Sequence, residues 1–230
     1  MRSQVTSAGI DPSTCWWSST LGIERTRSDM RDTSTVNRIG TVCVYCASSR
    51  QSDPAFPDTA RRLGALLASR GVAIVYGGGA VGSMGALADG ALGAGGRVVG
   101  VLPRFMGDLE WGHPRLSELR IVDGMHERKR TMIQSADAAV ALPGGCGTLE
   151  ELLEAITWKR LGLYSGPVVI VNQRGFFDPL LAMLERCIGE RFMDPRHGAM
   201  WNVVEDAEGV LPALECAAPW DDDPRRFAVP

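Results

Sequence analysis

The sequence predicts a single doubly wound α/β domain: a mostly parallel sheet with helices on both faces. Two observations carry this prediction. Short apolar runs rich in β-branched residues alternate with longer segments of helical periodicity, which is the order that parallel strands and crossover helices require. The chain also has 230 residues, 45% of them hydrophobic and 22% charged, which suits one soluble domain of moderate size.

The elements follow one another along the chain. The first strand is predicted over residues 41–47 (TVCVYCA), and a helix that starts at two prolines follows and ends at Arg70 and Gly71. Further strands are predicted at 72–76, 97–102, 119–122, 138–142, 167–171 and 201–204. Further helices are predicted from the glycine loop after residue 76 to Ala94, and near 125–135, 148–161, 178–191 and 207–216.

The two ends of the chain lack such patterning. Residues 1–37 are rich in Ser, Thr, Arg and Asp without periodicity, so we expect a disordered leader, within which Met30 is a second candidate start. Residues 219–230 form a polar segment bounded by prolines, for which no regular structure is predicted. The predicted domain therefore spans residues 38–218.

Charge and hydropathy exclude several classes of partner. The formal net charge is −3 and the sequence pI is about 5.7, so there is no broad basic surface for nucleic acid or an anionic membrane. No run of eighteen apolar residues and no signal peptide is present, so we expect a cytoplasmic protein with no membrane partner. The six cysteines are scattered and are expected to be reduced thiols.

The first motif is a glycine-rich loop, GGGAVGSMG at residues 77–85, between a predicted strand and a predicted helix. Glycines let backbone N–H groups approach an anion at a helix N-terminus, so the loop predicts a phosphate site. It lacks the Lys-Ser/Thr of a P-loop and the acidic ribose contact of a dinucleotide fold. A tight turn packed on small residues is the alternative. The predicted phosphate-binding residues are Gly77, Gly78, Gly79, Gly82, Ser83 and Gly85.

A second loop of this kind, PGGCGTLEE at residues 143–151, also joins a strand to a helix. Two such loops at the carboxyl ends of one sheet indicate a single ligand bridging them. Its predicted phosphate-binding residues are Gly144, Gly145, Gly147 and Thr148. Thr148 and Glu151 have the spacing of a capping box, which is the structural alternative for Glu151; as a ligand-facing residue in a first helical turn, Glu151 is expected to be ionised.

Cations follow in MHERKR, residues 125–130. Such a run is usually a solvated helix face, but Arg128 and Lys129 become candidates because the next strand end brings the second glycine loop near them. The three histidines show no metal-ligand spacing. Cys43 and Cys46 have CxxC spacing but lie three apart on a strand, which directs them to opposite faces. We therefore expect neither a metal nor an organic cofactor.

In this order and spacing the motifs resemble the LOG (LONELY GUY) family of cytokinin riboside 5′-monophosphate phosphoribohydrolases over about residues 40–205. The resemblance implies a Rossmann-like homodimer or higher oligomer, with the homodimer favoured. It also implies cleavage of the N-glycosidic bond of adenosine 5′-monophosphates, including N6-modified ones, into free base and ribose 5-phosphate. It implies that Arg128 and Glu151 are the catalytic pair. The other substrate-binding residues expected are Ser48, Glu110, Met125, Lys129, Cys146, Leu149, Glu150 and Thr157.

Two alternatives remain open from the sequence. A non-catalytic carrier of a phosphorylated ligand, such as a molybdenum cofactor carrier, would need the glycine loops but not the Arg128 and Glu151 pair. A pyridoxal phosphate-dependent lysine decarboxylase would need a Schiff-base lysine. The chain contains two lysines, Lys129 beside two arginines and Lys159 within a predicted helix, so this chemistry is disfavoured.

Overall fold

The computed structural model describes residues 39–107 and 112–220. Its strands are β1 (Thr41–Tyr45), β2 (Ala73–Tyr76), β3 (Val98–Pro103), β4 (Glu118–Val122), β5 (Ala138–Ala141), β6 (Val168–Val171) and β7 (Asn202–Val204). Its helices are α1 (Ala55–Ser69), α2 (Gly82–Gly93), α3 (Arg104–Gly107), α4 (Met125–Gln134), α5 (Cys146–Arg160), α6 (Asp178–Gly189) and α7 (Val210–Glu215). The predicted leader, with Met30, and residues 221–230 of the predicted tail lie outside the described residues.

All seven strands pair in parallel, in the order β4-β3-β2-β1-β5-β6-β7. The chain runs outward from β1 to β4, returns to place β5 beside β1, and then continues to the other edge. The strand order therefore reverses between β1 and β5, which is where ligands bind in open α/β sheets. The predicted α/β class is confirmed.

The sheet is covered on both faces, and the alternation of β1 shows how. Val42 and Val44 pack in one cluster with residues of α1, α2 and α7, whereas Cys43 and Tyr45 pack in another with residues of α4, α5 and α6. Because alternate residues of a strand point to opposite faces, one apolar strand contributes to both cores. The interior strands are therefore fixed from both sides, and the loops at their carboxyl ends have a rigid support.

The close approach of α1 and α2 depends on two glycines. A Cβ built on Gly64 would overlap the carbonyl oxygen of Leu87, and a Cβ built on Gly90 would overlap the carbonyl oxygen of Arg61. Larger residues would push the helices apart. This packing fixes the position at which α2 begins, beside the carboxyl end of β1.

The thiols of Cys43 and Cys46 lie on opposite faces of the sheet, as their spacing predicts, and both are buried and free. Burial raises the pKa of each thiol well above its usual range. They are therefore buried on opposite sides of the sheet and do not form a pair of metal ligands.

Trp220 belongs to the segment predicted to lack structure, yet it packs on the domain. Its indole N–H donates to the carbonyl oxygen of Lys159 over 2.9 Å.

In the part of the chain that the structure describes, no helix has both the length and the apolar character needed to cross a bilayer.

Candidate active site

A cavity of about 650 Å³ lies at the carboxyl ends of β2, β1 and β5, beside the reversal in strand order. This volume is typical of small-molecule sites. The residues that line it are Cys46, Ala47, Ser48, Ser49, Arg50, Gly77, Gly79, Ala80, Val81, Met84, Leu102, Met106, Met125, Arg128, Gly145, Gly147, Thr148 and Glu151.

Arg128, the fourth residue of α4, is 6% exposed and is held by backbone carbonyls. Its Nε donates to the carbonyl oxygen of Val101 and its Nη2 to that of Gly77, each over 3.0 Å. Its Nη1 lies 3.5 Å from Oε1 of Glu151. Two of the three guanidinium nitrogens are therefore bound to the ends of β2 and β3, and the third faces the carboxylate.

The absence of a side chain at Gly77 makes this arrangement possible. A Cβ built on Gly77 would overlap Nη2 of Arg128. The first residue of the glycine loop thus contributes an acceptor for the arginine and the space that the guanidinium occupies.

Glu151 lies on α5 and is 6% exposed. Burial raises the pKa of its carboxyl group to about 7, and the positive charge of Arg128 opposes this shift without cancelling it. The expectation that Glu151 lies in a first helical turn is wrong, because it is the sixth residue of α5. Burial leaves its carboxyl group only partly ionised at neutral pH. Its carboxyl group exchanges a proton near neutral pH, as catalytic carboxylates often do.

The predicted capping box is also wrong. Helix α5 begins at Cys146, its N-cap residue is Gly145 in an extended conformation, and no side chain caps it. Thr148 is the third helical residue, and its side chain occupies the space where a Cβ of Gly144 would lie. Glu151 therefore has no capping role that would account for its presence.

The first glycine loop is packed closely on its surroundings. Gly82 has a φ of +60°, and a Cβ on it would overlap the carbonyl oxygen of Ser49. The Tyr76 hydroxyl donates to the carbonyl oxygen of Gly79 over 3.0 Å, and the N–H of His113 donates to that of Gly78 over 2.9 Å. The tight-turn alternative thus accounts for several of these glycines.

The second glycine loop is more open. Gly145 and Gly147 line the cavity, and each has open space where a Cβ would lie. The N–H of Leu149 makes a helical bond to the carbonyl oxygen of Gly145, over 3.0 Å. The N–H groups that precede it at the start of a helix have no intrahelical acceptor, so a ligand can accept from them.

The structure brings together part of the predicted site. The predicted residues that line the cavity are Ser48, Gly77, Gly79, Met125, Arg128, Gly145, Gly147, Thr148 and Glu151. Those outside its lining are Gly78, Gly82, Ser83, Gly85, Lys129, Gly144, Cys146, Leu149, Glu150 and Thr157. Glu110 lies outside the described residues. Ligand contacts by all of these residues stay predictions.

Lys129 and Thr157 face other partners. The ammonium of Lys129 lies 2.8 Å from Oε1 of Glu150 and 3.4 Å from Oε1 of Glu154, so it links α4 to α5. Successive helical residues point about 100° apart, which is why Lys129 does not follow Arg128 into the cavity. The Thr157 hydroxyl is on the exposed side of α5 and donates to the carbonyl oxygen of Leu153 over 2.7 Å.

Sequence reasoning missed several residues of the lining. They are Cys46, Ala47, Ser49, Arg50, Ala80, Val81, Met84, Leu102 and Met106. Position after the end of β1 is a signal that could have found Arg50, and position at the carboxyl end of β3 could have found Leu102. Met84 and Met106 carry no comparable signal, because their place depends on side-chain direction.

No cluster of three or more His, Cys, Asp or Glu side chains suited to a metal occurs among residues 39–107 and 112–220. Neither lysine of the chain lines the cavity. The Lys159 ammonium is buried, donates to the carbonyl oxygen of Gly166 over 2.9 Å and lies 5.7 Å from the ring centre of Trp220. The residues present therefore do not fit a Schiff-base cofactor at this site.

Comparison with known proteins identifies the relatives of this chain. A family model described as possible lysine decarboxylase matches residues 84–214. The cytokinin riboside 5′-monophosphate phosphoribohydrolase LOG of Oryza sativa subsp. japonica is 40% identical over 200 residues, covering 84% of this chain and 83% of its own. LOG1 of Arabidopsis thaliana, named for the same activity, is 40% identical over 154 residues, covering 67% of this chain and 72% of its own.

Among solved structures, the molybdenum cofactor carrier protein of Chlamydomonas reinhardtii is similar to this chain with a TM-score of 0.58. It is 22% identical, and the match covers 76% of this chain and 96% of that one. At this identity the two proteins share a fold, and the likeness extends no further.

Proposed function

Because the chain belongs to the LOG family of cytokinin riboside 5′-monophosphate phosphoribohydrolases, we propose that it hydrolyses the N-glycosidic bond of adenosine 5′-monophosphates, including N6-modified ones. The products are the free base and ribose 5-phosphate. The observation that carries this proposal is the buried pair of Arg128 and Glu151 in the wall of the cavity. A carrier of a phosphorylated ligand would need the glycine loops but not this buried pair.

The role proposed for Glu151 follows from the charge that the reaction creates. Loss of the base leaves an oxocarbenium-like sugar carbon, as in glycoside hydrolysis. An ionised carboxylate in a poorly solvated site stabilises that cation strongly and orients the attacking water. With a pKa of about 7, Glu151 can also accept the proton that this water loses. The departing base takes up one proton from solvent, and Glu151 returns its proton to solvent, so that protons balance over the cycle.

Arg128 is proposed to fix the carboxylate in the reacting position. Its guanidinium is anchored to the carbonyl oxygens of Gly77 and Val101, so its remaining nitrogen presents a fixed positive charge to Glu151. This charge opposes the effect of burial on the pKa of Glu151 and increases the ionised fraction. A forked guanidinium can hold a carboxylate and a sugar hydroxyl together.

The glycine loops are proposed to hold the 5′-phosphate. Gly145 and Gly147 leave the start of α5 open to an anion, and Gly77 and Gly79 line the cavity opposite. Binding energy from the phosphate then positions the reacting carbon, at the other end of the ribose, beside Glu151. A nucleoside without phosphate is therefore expected to be a poor substrate.

The proposal is tested by incubating the purified protein with AMP, N6-isopentenyl-AMP, GMP and CMP, and measuring free base and ribose 5-phosphate. Base and ribose 5-phosphate are expected in equal amounts from the adenosine 5′-monophosphates. Adenosine is the matched control for the phosphate. Recovery of every nucleotide intact, with measurable binding, would favour the carrier instead.

The oligomeric state and location also belong to this proposal. A homodimer is supported by the exposed leucines at 153, 161 and 163, because apolar side chains exposed on and after α5 gain from being covered. Light scattering after size exclusion is expected to give twice the chain mass of 24.7 kDa. The cytoplasmic location predicted from the sequence is tested by cell fractionation.

A further inference from the structure

Two cationic side chains lie among the described residues that line the cavity, Arg50 and Arg128. Arg128 is buried and bound to Gly77, Val101 and Glu151. Arg50 is exposed, and no carboxylate within the described ranges forms an ion pair with it. One cavity cation is therefore engaged by the protein, and the other is available to a ligand.

Arg50 belongs to the central loop of the site. In the order β2-β1-β5, the loop that follows β1 lies between the two glycine loops. It is seated on the start of α2, because the N–H of Met84 donates to the carbonyl oxygen of Ala47 over 3.0 Å and Gly82 leaves room for the carbonyl oxygen of Ser49. A side chain from this loop can reach an anion that lies between the glycine loops.

The charge balance of the cavity favours such a cation. A nucleoside 5′-monophosphate brings about two negative charges into a site that already holds Glu151. Arg128 offsets the charge of Glu151, with which it forms an ion pair. Backbone N–H groups contribute only partial positive charge, so a phosphate that relied on them alone would remain poorly compensated.

We infer that Arg50 binds the 5′-phosphate and makes the enzyme selective for nucleotides over nucleosides, an inference that rests on the proposed function. A guanidinium presents two parallel N–H donors to two phosphate oxygens, a match that an ammonium or an amide lacks. Arg50 thus binds substrate at the end opposite the bond that breaks.

The test compares Arg50→Gln with Arg70→Gln. Arg70 is the control for a lost surface arginine, because it is exposed at the other end of α1, beside the amino end of β2, where its guanidinium lies 3.6 Å from Oε1 of Glu215. Isothermal titration with ribose 5-phosphate measures phosphate binding without turnover. Loss of charge-assisted hydrogen bonds is expected to weaken this binding about tenfold or more in Arg50→Gln, while Arg70→Gln binds like the wild type.

Steady-state kinetics supply the second readout. In Arg50→Gln the KM for AMP is expected to rise about tenfold, with kcat within a few fold, because the lost contact is far from the reacting carbon. The ratio of kcat/KM for AMP to that for adenosine is expected to fall by the same factor. Arg50→Lys keeps the charge but not the fork and should lie between the two. Thermal unfolding shows whether each variant is folded.

Unchanged ribose 5-phosphate affinity in folded Arg50→Gln would overturn the inference. So would an equal loss of kcat/KM for AMP and adenosine, because that contact would then be to the shared nucleoside. The two proposals fail separately. Wild-type protein that binds ribose 5-phosphate through Arg50 but cleaves no nucleotide would contradict the hydrolase proposal and leave the phosphate contact in place.

Discussion

The cavity is bounded by two glycine-rich loops, and each runs from a strand end into a helix. In the loop after β2, neighbouring atoms occupy the space where a glycine Cβ would lie. Arg128 occupies it at Gly77, and Ser49 occupies it at Gly82. In the loop after β5, Gly145 and Gly147 face open space. Similar motifs therefore serve different purposes, since the first loop allows close packing whereas the second leaves its backbone accessible.

Each of the two loops supports one member of the Arg128 and Glu151 pair. The first loop contributes the carbonyl that holds Arg128, and the second loop begins the helix that carries Glu151. Changes in the first loop should therefore disturb packing and the arginine together. Changes in the open part of the second loop should alter ligand binding in a fold that is otherwise intact.

The largest effect is expected from Glu151→Gln, which keeps the shape of the side chain and removes its negative charge. Turnover of AMP should fall about 10³-fold, because the developing cation loses its stabilising carboxylate. Ribose 5-phosphate binding should change little. Glu154→Gln, one turn along the same helix, is the control and should retain activity within a few fold. Normal turnover in folded Glu151→Gln would remove Glu151 from catalysis.

The pH dependence of kcat tests two opposing effects on Glu151, burial and the positive charge of Arg128. With both effects included the pKa of Glu151 is about 7, so the ionised form predominates only above neutrality. If the ionised form is the active one, kcat should fall about tenfold per pH unit below 7, or about 10²-fold by pH 5. A kcat that stays flat from pH 5 to pH 8 would contradict this assignment.

The sequence anticipates the fold because strand and helix patterns are local. The apolar run of β1 and the glycine-rich loops that follow β2 and β5 are visible without tertiary information. The start of α5 was harder to predict. A threonine followed three residues later by a glutamate matches a capping box, but the same spacing also occurs inside a helix that begins at Cys146.

The electrostatics of the site could not be predicted in the same way. The pKa of Glu151 depends on burial against α4, and the anchoring of Arg128 depends on the ends of two strands that are distant in sequence. Lys129, adjacent to Arg128 in sequence, points instead toward Glu150 and Glu154. Arg50 belongs to a loop whose path depends on its contact with α2.

Arg128→Lys tests whether Glu151 needs only a positive charge beside it or also the fixed geometry of the guanidinium. A lysine has a single ammonium and cannot bond to the carbonyl oxygens of Gly77 and Val101 while also facing Glu151. Turnover of AMP should fall about 10²-fold, with the positive charge preserved. Near-normal turnover in this variant would show that charge alone is sufficient, and that the two carbonyl anchors are dispensable.

Gly77→Ala tests the packing of the first loop directly. Its Cβ would overlap the guanidinium of Arg128, so the variant should lose about 1–3 kcal/mol of unfolding free energy by overpacking. Because Arg128 lowers the pKa of Glu151, its displacement should also move the acidic limb of the kcat profile to higher pH. Chemical denaturation and a pH series measure the two effects. If the acidic limb of the kcat profile stays at the same pH, Gly77 does not position Arg128.

Gly145→Val is expected to have the smallest effect on the fold, and it separates the two loops most clearly. Gly145 has a negative φ of −84° and open space beside it. The unfolding free energy of the Gly145→Val protein should therefore stay within about 0.5 kcal/mol of the wild-type value. The new side chain would occupy space through which a phosphate reaches the start of α5, so the KM for AMP should rise about tenfold. Denaturation and titration with ribose 5-phosphate measure both quantities. A folded Gly145→Val protein with normal affinity would mean that the phosphate does not lie against this loop, and the openness of its glycines would then need another explanation.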